Sequence, residues 1–196
     1  MIVNELINPK SIVVIGGSND ITKPGGRVMK NLMDGGFRGN VCVVNPKEDM
    51  VQGLKCYRTV AEIPQSDLAI IAIAAKYVPD TLRTLAGEKS TKGFIILSAG
   101  FSELGEEGKA LEREVVEIVE SARGSLIGPN CVGVMNSFYR GAFACAVPRL
   151  VPEGCDFVSG SGATASFILE YAIPLGLQFS SIFSVGNSAQ IGVEEV

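Results

Sequence analysis

The sequence has 196 residues, of which 46% are hydrophobic and 19% are charged, and its formal net charge at pH 7 is −4. These proportions are typical of a globular α/β protein and exclude a disordered chain, and the acidic balance offers no basic stripe for binding nucleic acid. No apolar run approaches the roughly 18 residues of a membrane span, and the first residues lack the features of a signal peptide, so we expect a cytoplasmic protein.

Cysteine and histidine limit the chemistry. The 5 cysteines are odd in number and show no Cys-x-x-Cys spacing, which predicts reduced thiols, neither a zinc site nor a disulfide framework. The sequence contains 0 histidines, so the commonest general base and metal ligand must come from outside these residues. We therefore predict no metal site within this chain.

The chain opens with a strand–loop–helix unit. An apolar run over residues 12–15 ends abruptly in the glycine and serine residues of 16–18, and a helical pattern follows over 27–33. This pattern predicts a buried parallel strand, a phosphate-binding loop and a helix, opened near Gly25, whose N-terminus points at the loop. The predicted core stripe of this helix consists of Val28, Leu32 and Met33.

Apolar runs and helical patterns then alternate. Further strands are predicted over 41–44, 68–73, 93–97 and 125–127, with a hairpin or short connection over 53–57 and helices over 79–87 and 105–123. This alternation predicts an α/β fold with a Rossmann-like, doubly wound parallel sheet. The loops after the strands should meet at one edge of the sheet, where such folds bind ligands.

The end of the second strand indicates the kind of ligand. A Rossmann-type NAD site needs an acidic residue near this point to hold the ribose hydroxyl groups. The sequence instead has Asn45, Pro46 and Lys47. A cation suits an additional ribose phosphate, so the expected ligand is a phosphorylated adenosine other than NAD.

The second part of the chain begins another unit. The alternation of apolar runs and helical patterns is lost over 132–152. We predict this stretch to be a linker between a domain at 1–131 and the beginning of a second domain at 153–196. In that second domain a strand leads into the Ser-Gly-Ser-Gly turn at 159–162 and then into a helix. Such a turn offers several free N–H groups and hydroxyls at the positive end of a helix, which suits a phosphate.

Five of these loops together resemble a known family. They are the Gly-Gly-Ser loop, the Asn-Pro-Lys turn, the Ser-Ala-Gly-Phe loop at 98–101, the Gly-Pro-Asn-Cys-Val-Gly loop at 128–133 and the Ser-Gly-Ser-Gly turn. In this order they resemble the nucleoside-diphosphate-forming acyl-CoA synthetases, relatives of the α-subunit of succinyl-CoA synthetase. The resemblance implies a CoA-binding domain followed by a flavodoxin-like ligase domain.

The resemblance also implies site residues. It places Gly17, Ser18 and Gly25 by the CoA phosphates, Asn45, Pro46 and Lys47 at the adenosine-side phosphates, Ser98, Ala99 and Gly100 along the pantetheine arm, and Asn130 and Cys131 at the thiol end. It assigns the binding of phosphate, or of a phosphohistidine, to Ser159, Gly160, Ser161 and Gly162. Family members often have glutamine where Gly160 stands. Cys131 could equally be a thiol without chemistry, Ser161 could only cap its helix, and Lys76 could touch CoA or water.

The implied reaction interconverts acyl-CoA, a nucleoside diphosphate and phosphate with a carboxylic acid, CoA and a nucleoside triphosphate, through an acyl phosphate and a phosphohistidine. The histidine is expected after Val196, and ADP or ATP with Mg²⁺ is expected on an ATP-grasp domain or subunit outside this chain, in an oligomer. These residues alone should bind CoA without completing the reaction. Two alternatives stay open, a CoA-binding regulatory module of a protein acetyltransferase and an NAD-binding module.

Overall fold

The computed structural model describes residues 2–144 and 147–196, so the predicted features at Cys145 lie outside the described residues. The helices are α1 (Asn4–Ile7), α2 (Pro24–Asp34), α3 (Val78–Glu88), α4 (Glu106–Ser121) and α5 (Gly162–Ala172). The strands are β1 (Ser11–Ile15), β2 (Asn40–Val44), β3 (Met50–Val51), β4 (Leu54–Tyr57), β5 (Leu68–Ile71), β6 (Gly93–Ile96), β7 (Ser125–Ile127), β8 (Gly133–Met135), β9 (Arg140–Ala142), β10 (Leu150–Ser159) and β11 (Phe179–Ser184).

The larger sheet has seven strands in the order β3-β4-β2-β1-β5-β6-β7. All neighbours are parallel except β3 and β4, which form the predicted hairpin. Both faces of β1 are buried, because Ile12 and Val14 pack into the core on one side and Val13 and Ile15 into the core on the other. The predicted parallel doubly wound sheet is confirmed, and its strand order reverses at β1, where this fold forms its ligand crevice.

Helices cover both faces of this sheet. The helix α2 contributes Val28 and Leu32 to one core, and α3 and α4 pack on the opposite face. The predicted burial of Met33 is wrong: its side chain is 46% exposed and Met29 is buried instead. Each residue turns the helix by about 100°, which moves Met33 from the centre of the buried stripe to its flank in the last turn.

The second sheet has four strands in the order β10-β11-β8-β9. Two of them, β8 and β9, lie within the stretch over 132–152 that the sequence predicts to be a linker. With only three residues each, these strands are too short for a period-2 pattern to reveal them. The buried side chain of Asn31 on α2 donates to the carbonyl oxygens of Ala142 and Ala144 at 2.7 and 3.2 Å and so ties this stretch to the first domain.

One hydrophobic cluster joins the two sheets. Phe183 of β11 and Val185 after it pack in the same cluster as β1 and α2. The hydroxyl of Tyr139 donates to the carbonyl oxygen of Leu6 at 2.8 Å, which adds a buried polar link. None of the helices within 2–144 and 147–196 combines the length and hydropathy required to cross a membrane.

Candidate functional site

The loop after β1 packs closely against the first turn of α2. Gly16 has a φ of +84°, in the left-handed region, and its N–H donates to the carbonyl oxygen of Val44 at 2.8 Å. A Cβ at Gly25 would lie 2.1 Å from the carbonyl oxygen of Gly16, so the approach requires glycine. This is the predicted strand–loop–helix geometry, and the dipole of α2 favours an anion at its N-terminus.

Polar groups inside this loop have local partners. The hydroxyl oxygen of Ser18 accepts the N–H of Asp20 at 3.0 Å. The Asp20 carboxylate accepts the hydroxyl and the N–H of Thr22 at 2.6 and 2.9 Å, and these bonds, with the charge of Lys23, hold the pKa of Asp20 below its ordinary value. An ionised carboxylate therefore lies beside the loop and opposes an anion on that side.

Two side-chain amides hold the glycine loop in place. Asn45, after β2, donates its Nδ2 to the carbonyl oxygen of Gly17 at 2.8 Å. Gln52, in the β3–β4 turn, donates its Nε2 to the carbonyl oxygens of Ser18 and Gly26 at 2.9 and 2.8 Å. Asn45 was predicted for this site, whereas Gln52 was missed, since the sequence indicates only the hairpin turn in which it stands.

Lys47 is exposed just beyond β2, and within the described residues it forms no ion pair. Its backbone N–H donates to Oδ1 of Asn45 at 3.0 Å, which fixes the turn. Nη1 of Arg58 donates to the carbonyl oxygen of Pro46 at 2.5 Å, and its guanidinium pairs with Asp49. Arg58 thus places a second cation at this turn, and no sequence signal pointed to it.

The loops after β6 and β7 lie side by side. The N–H of Asn130 donates to the carbonyl oxygen of Ser98 at 3.0 Å, and Asn130 itself has a φ of +57°. The hydroxyl of Ser98 donates to the carbonyl oxygen of Ile73. The N–H of Gly100 donates to Oε1 of Glu103 at 2.5 Å. The hydroxyl proton of Ser98 and the N–H of Gly100 are therefore used within the fold.

Cys131 is buried and only 3% exposed. Its Sγ lies 3.3 Å from the carbonyl oxygen of Ile96, to which the thiol donates. Burial raises the pKa of Cys131 to about 12, although the backbone N–H groups of Gly133 and Cys131 oppose the shift. Because a neutral thiol is a weak nucleophile, the structure favours the interpretation of Cys131 as a packing residue.

The Ser-Gly-Ser-Gly turn opens α5 as predicted. Oγ of Ser161 accepts the N–H of Thr164 at 3.2 Å, so Ser161 does cap the helix. The N–H of Ser161 donates to Oγ of Ser159 at 3.1 Å. The serine hydroxyls of the turn thus accept the N–H groups of Ser161 and Thr164.

A cavity of about 570 Å³ joins two of the predicted groups of site residues. Its wall includes Asn130 and Cys131 from the loop after β7, and Gly160, Ser161 and Gly162 from the turn before α5. The same cavity is lined by Asn187, which follows β11 and which the sequence did not single out. The predicted thiol-end loop and the predicted phosphate turn thus face a common space between the two sheets.

The remaining predicted residues lie at the crevice edge in two places. Gly17, Ser18, Gly25, Asn45, Pro46 and Lys47 lie together around the glycine loop, and Ser98, Ala99 and Gly100 follow β6 next to Asn130. The ammonium group of Lys76 lies 4.9 Å from the centre of the Tyr77 ring in the turn after β5. Within residues 2–144 and 147–196, no group of three or more His, Cys, Asp or Glu side chains could hold a metal ion.

Comparison with known proteins agrees with this geometry. The family model described as a CoA binding domain matches residues 10–137. The chain belongs to this CoA-binding domain family. The match covers the whole seven-stranded sheet and the first strand of the second sheet, β8.

Individual relatives extend further along the CoA-binding chain. It is 44% identical over 186 residues to the α-subunit of acetate–CoA ligase [ADP-forming] II from Pyrococcus furiosus, covering 94% of this chain and 40% of the relative. A crystal structure of PH0766 from Pyrococcus horikoshii is 43% identical with a TM-score of 0.88, covering 98% of this chain and 44% of that one.

A third match is the apo form of a dinucleotide-forming acetyl-coenzyme A synthetase 1 from Candidatus Korarchaeum cryptofilum. It is 32% identical with a TM-score of 0.87, covering 97% of this chain and 41% of that one. The CoA-binding chain therefore spans less than half the length of each of these three relatives.

Proposed function

We propose that this chain is the part of an ADP-forming acyl-CoA synthetase that holds CoA. The observation that carries the proposal is Lys47, an exposed cation without an ion pair in the described residues, at the end of β2 where an NAD site would have a carboxylate. Family membership and the named relatives support the same ligand.

The residues of the crevice fit a long phosphorylated ligand. A Cβ at Gly17 would lie 2.3 Å from Cγ2 of the buried Val43, so glycine lets this loop pack directly against β2. Lys47 supplies positive charge at one end of the crevice. The cavity lined by Asn130 and Ser161 supplies space at the other end. CoA has its phosphates at one end and its thiol at the other, which matches this order.

Titration calorimetry of the chain with CoA, dephospho-CoA and NAD⁺ tests this proposal. We expect CoA to bind at least about tenfold more tightly than NAD⁺, because Lys47 complements a ribose phosphate that NAD⁺ lacks. Equal or tighter binding of NAD⁺ would reject the proposal in favour of a dinucleotide module. A buffer with low salt is preferable, since an exposed charge pair weakens as ionic strength rises.

We further propose that the full reaction needs parts outside these residues. The chain has 0 histidines, so a phosphohistidine must come from elsewhere. Phe167, Tyr171 and Leu175, along and just beyond α5, are 60%, 62% and 86% exposed, which supports a covering domain or subunit. An ATP-grasp partner would supply ADP, ATP and Mg²⁺ binding.

A labelling experiment tests this second proposal. We expect the chain, incubated with acetyl-CoA, ADP and labelled phosphate, to form neither ATP nor phosphoprotein. ATP formation by the chain alone would contradict the proposal. The positive control is an ADP-forming acetate–CoA ligase that contains both subunits, assayed under the same conditions.

A further inference from the structure

Asn187, in the turn after β11, connects three loops of the crevice. Its backbone N–H donates to the carbonyl oxygen of Pro129 at 2.9 Å. Its Nδ2 lies 2.7 Å from Oε2 of Glu103 and 2.9 Å from Oε2 of Glu112, with the hydroxyl of Ser102 at 3.1 Å. Asn187 is thereby bonded through its backbone to the loop after β7, and through its side chain to the loop after β6 and to α4.

The two carboxylates that accept hydrogen bonds from Asn187 also bind other groups of the fold. Oε1 of Glu103 accepts the N–H groups of Gly100 and Phe101 at 2.5 and 3.1 Å, which shapes the loop predicted to follow the pantetheine arm. Glu112 accepts the hydroxyl of Ser102 at 2.8 Å. Partial burial opposes ionisation of Glu103, but the bonds from Asn187 and from these N–H groups outweigh it and lower its pKa.

The other side of Asn187 faces Asn130. Oδ1 of Asn187 lies 3.3 Å from Nδ2 of Asn130, which donates to it, and both residues line the cavity between the sheets. The two amide hydrogens of Asn187 are shared among Glu103, Glu112 and Ser102, and its Oδ1 accepts a hydrogen bond from Asn130. Asn187 therefore has little left to offer a ligand and is suited to fixing the groups that do meet one.

We propose that Asn187 is a positioning residue for the thiol end of CoA. It orients the side chain of Asn130 and holds the 99–101 backbone through Glu103. The inference rests on the proposed function, because it concerns the pantetheine half of the same crevice. Without the side-chain hydrogen bonds of Asn187, the loops that contact the thiol end of CoA would be less well ordered. The contacts of the glycine loop and of Lys47 would be unchanged.

Titration calorimetry with two ligands distinguishes the pantetheine part of the proposed site from the part that binds the ribose phosphate. Adenosine 3′,5′-bisphosphate contains the ribose phosphate of CoA but lacks its pantetheine arm. For Asn187→Ala we expect CoA to bind about fivefold to tenfold more weakly and the bisphosphate to bind within about twofold of the unmodified chain. Unchanged CoA binding, or an equal loss for both ligands, would overturn the proposal.

Asn187→Asp distinguishes hydrogen bonding from simple space filling. The substitution conserves shape but replaces the donor with a third carboxylate beside Glu103 and Glu112. We expect a greater loss of CoA affinity than for Asn187→Ala, since like charges repel and the donor is gone. Affinity equal to that of the unmodified chain would contradict the proposed role. Ser188→Ala, in the same turn, is the matched control and should leave both ligands unaffected.

A second pair of variants covers the case in which Asn187→Ala does not fold. Glu103→Gln keeps an acceptor for Gly100 and Phe101 but places an NH2 group opposite Nδ2 of Asn187, whereas Glu103→Ala removes both contacts. We expect both variants to lose CoA affinity, the alanine variant more strongly, with no change for the bisphosphate in either. CoA affinity of the glutamine variant equal to that of the unmodified chain would refute the role. If the unmodified chain bound neither ligand, the proposed function itself would fail, which is a different result.

Discussion

The side-chain amide of Asn45 donates a hydrogen bond to the carbonyl oxygen of Gly17 at 2.8 Å. This bond joins the loop after β2 to the glycine loop after β1. The same side chain accepts the backbone N–H of Lys47 at 3.0 Å, so one residue holds both the glycine loop and the turn that carries Lys47. In the proposed function Asn45 acts on CoA through these neighbours, at a position where an NAD-binding protein would use a carboxylate on the ribose.

Asn45→Asp should weaken CoA binding. Aspartate retains the acceptor for the N–H of Lys47 but cannot donate to Gly17, and its charge repels phosphate. We expect about a tenfold loss of CoA affinity by calorimetry, in line with one lost hydrogen bond plus an added like charge. Asn40→Asp, at the opposite end of β2, is the matched control. A tenfold loss in the control as well would show that charge anywhere on the domain is sufficient.

Lys47→Ala should separate CoA from dephospho-CoA. The ammonium group is exposed and without an ion pair in the described chain, so its contribution is electrostatic and local. We expect about a fivefold loss for CoA and less than about a twofold loss for dephospho-CoA, measured at low salt. Lys55→Ala, which removes a cation lying 5.7 Å from the centre of the Tyr57 ring, provides the control. Equal losses for both ligands would remove the ribose-phosphate assignment of Lys47.

The sequence was sufficient for much of this site because the relevant signals are local. A strand that ends in glycine, and a turn that contains Asn45, Pro46 and Lys47, reveal themselves over a few residues. The contributions of Gln52, Arg58 and Asn187 could not be predicted in this way. Each acts on a partner that is distant in the chain, such as Gln52 on Gly26.

The same limitation applies to the fold. The linker expected over 132–152 contains β8 and β9, whose residues are held in place by partners far away in sequence, such as Asn31 on α2. Met33 follows the helical period closely enough to be counted as core, yet only the packed structure shows on which side of the stripe it falls. Local sequence patterns therefore predict the helices and strands, whereas tertiary contacts determine which of them pack together.

Two glycine substitutions should have opposite effects on stability. A Cβ at Gly25 would lie 2.1 Å from the carbonyl oxygen of Gly16, whereas nothing lies within 4 Å of a Cβ at Gly87 in α3. We expect Gly25→Ala to lower the free energy of unfolding by about 1–3 kcal/mol and to weaken CoA binding, because backbone must move. Gly87→Ala should raise the free energy of unfolding by about 0.5–1 kcal/mol, because alanine has a higher helix propensity than glycine. Urea denaturation of both variants provides the measurement. A stabilised Gly25→Ala would contradict the close packing of the loop.

Cysteine reactivity should follow burial. Cys131 is buried and its pKa is raised to about 12, whereas Cys155 is exposed. With iodoacetamide at pH 8 we expect rapid alkylation of Cys155 and protection of Cys131 in the native chain, with both modified in urea. Peptide mass spectrometry identifies the sites. Fast native alkylation of Cys131 would show that the thiol is accessible and would reopen a chemical role for it.

Ser161→Ala should destabilise α5 and, if the turn also holds phosphate, reduce phosphate binding. The hydroxyl caps the helix through the N–H of Thr164, and losing such a cap costs about 1 kcal/mol. Ser161→Asp restores the cap acceptor but adds a negative charge at the turn. We therefore expect Ser161→Asp to recover the stability measured by urea denaturation while binding phosphate even more weakly than Ser161→Ala in a phosphate titration. Equal phosphate affinity in the unmodified chain and both variants would confine Ser161 to capping.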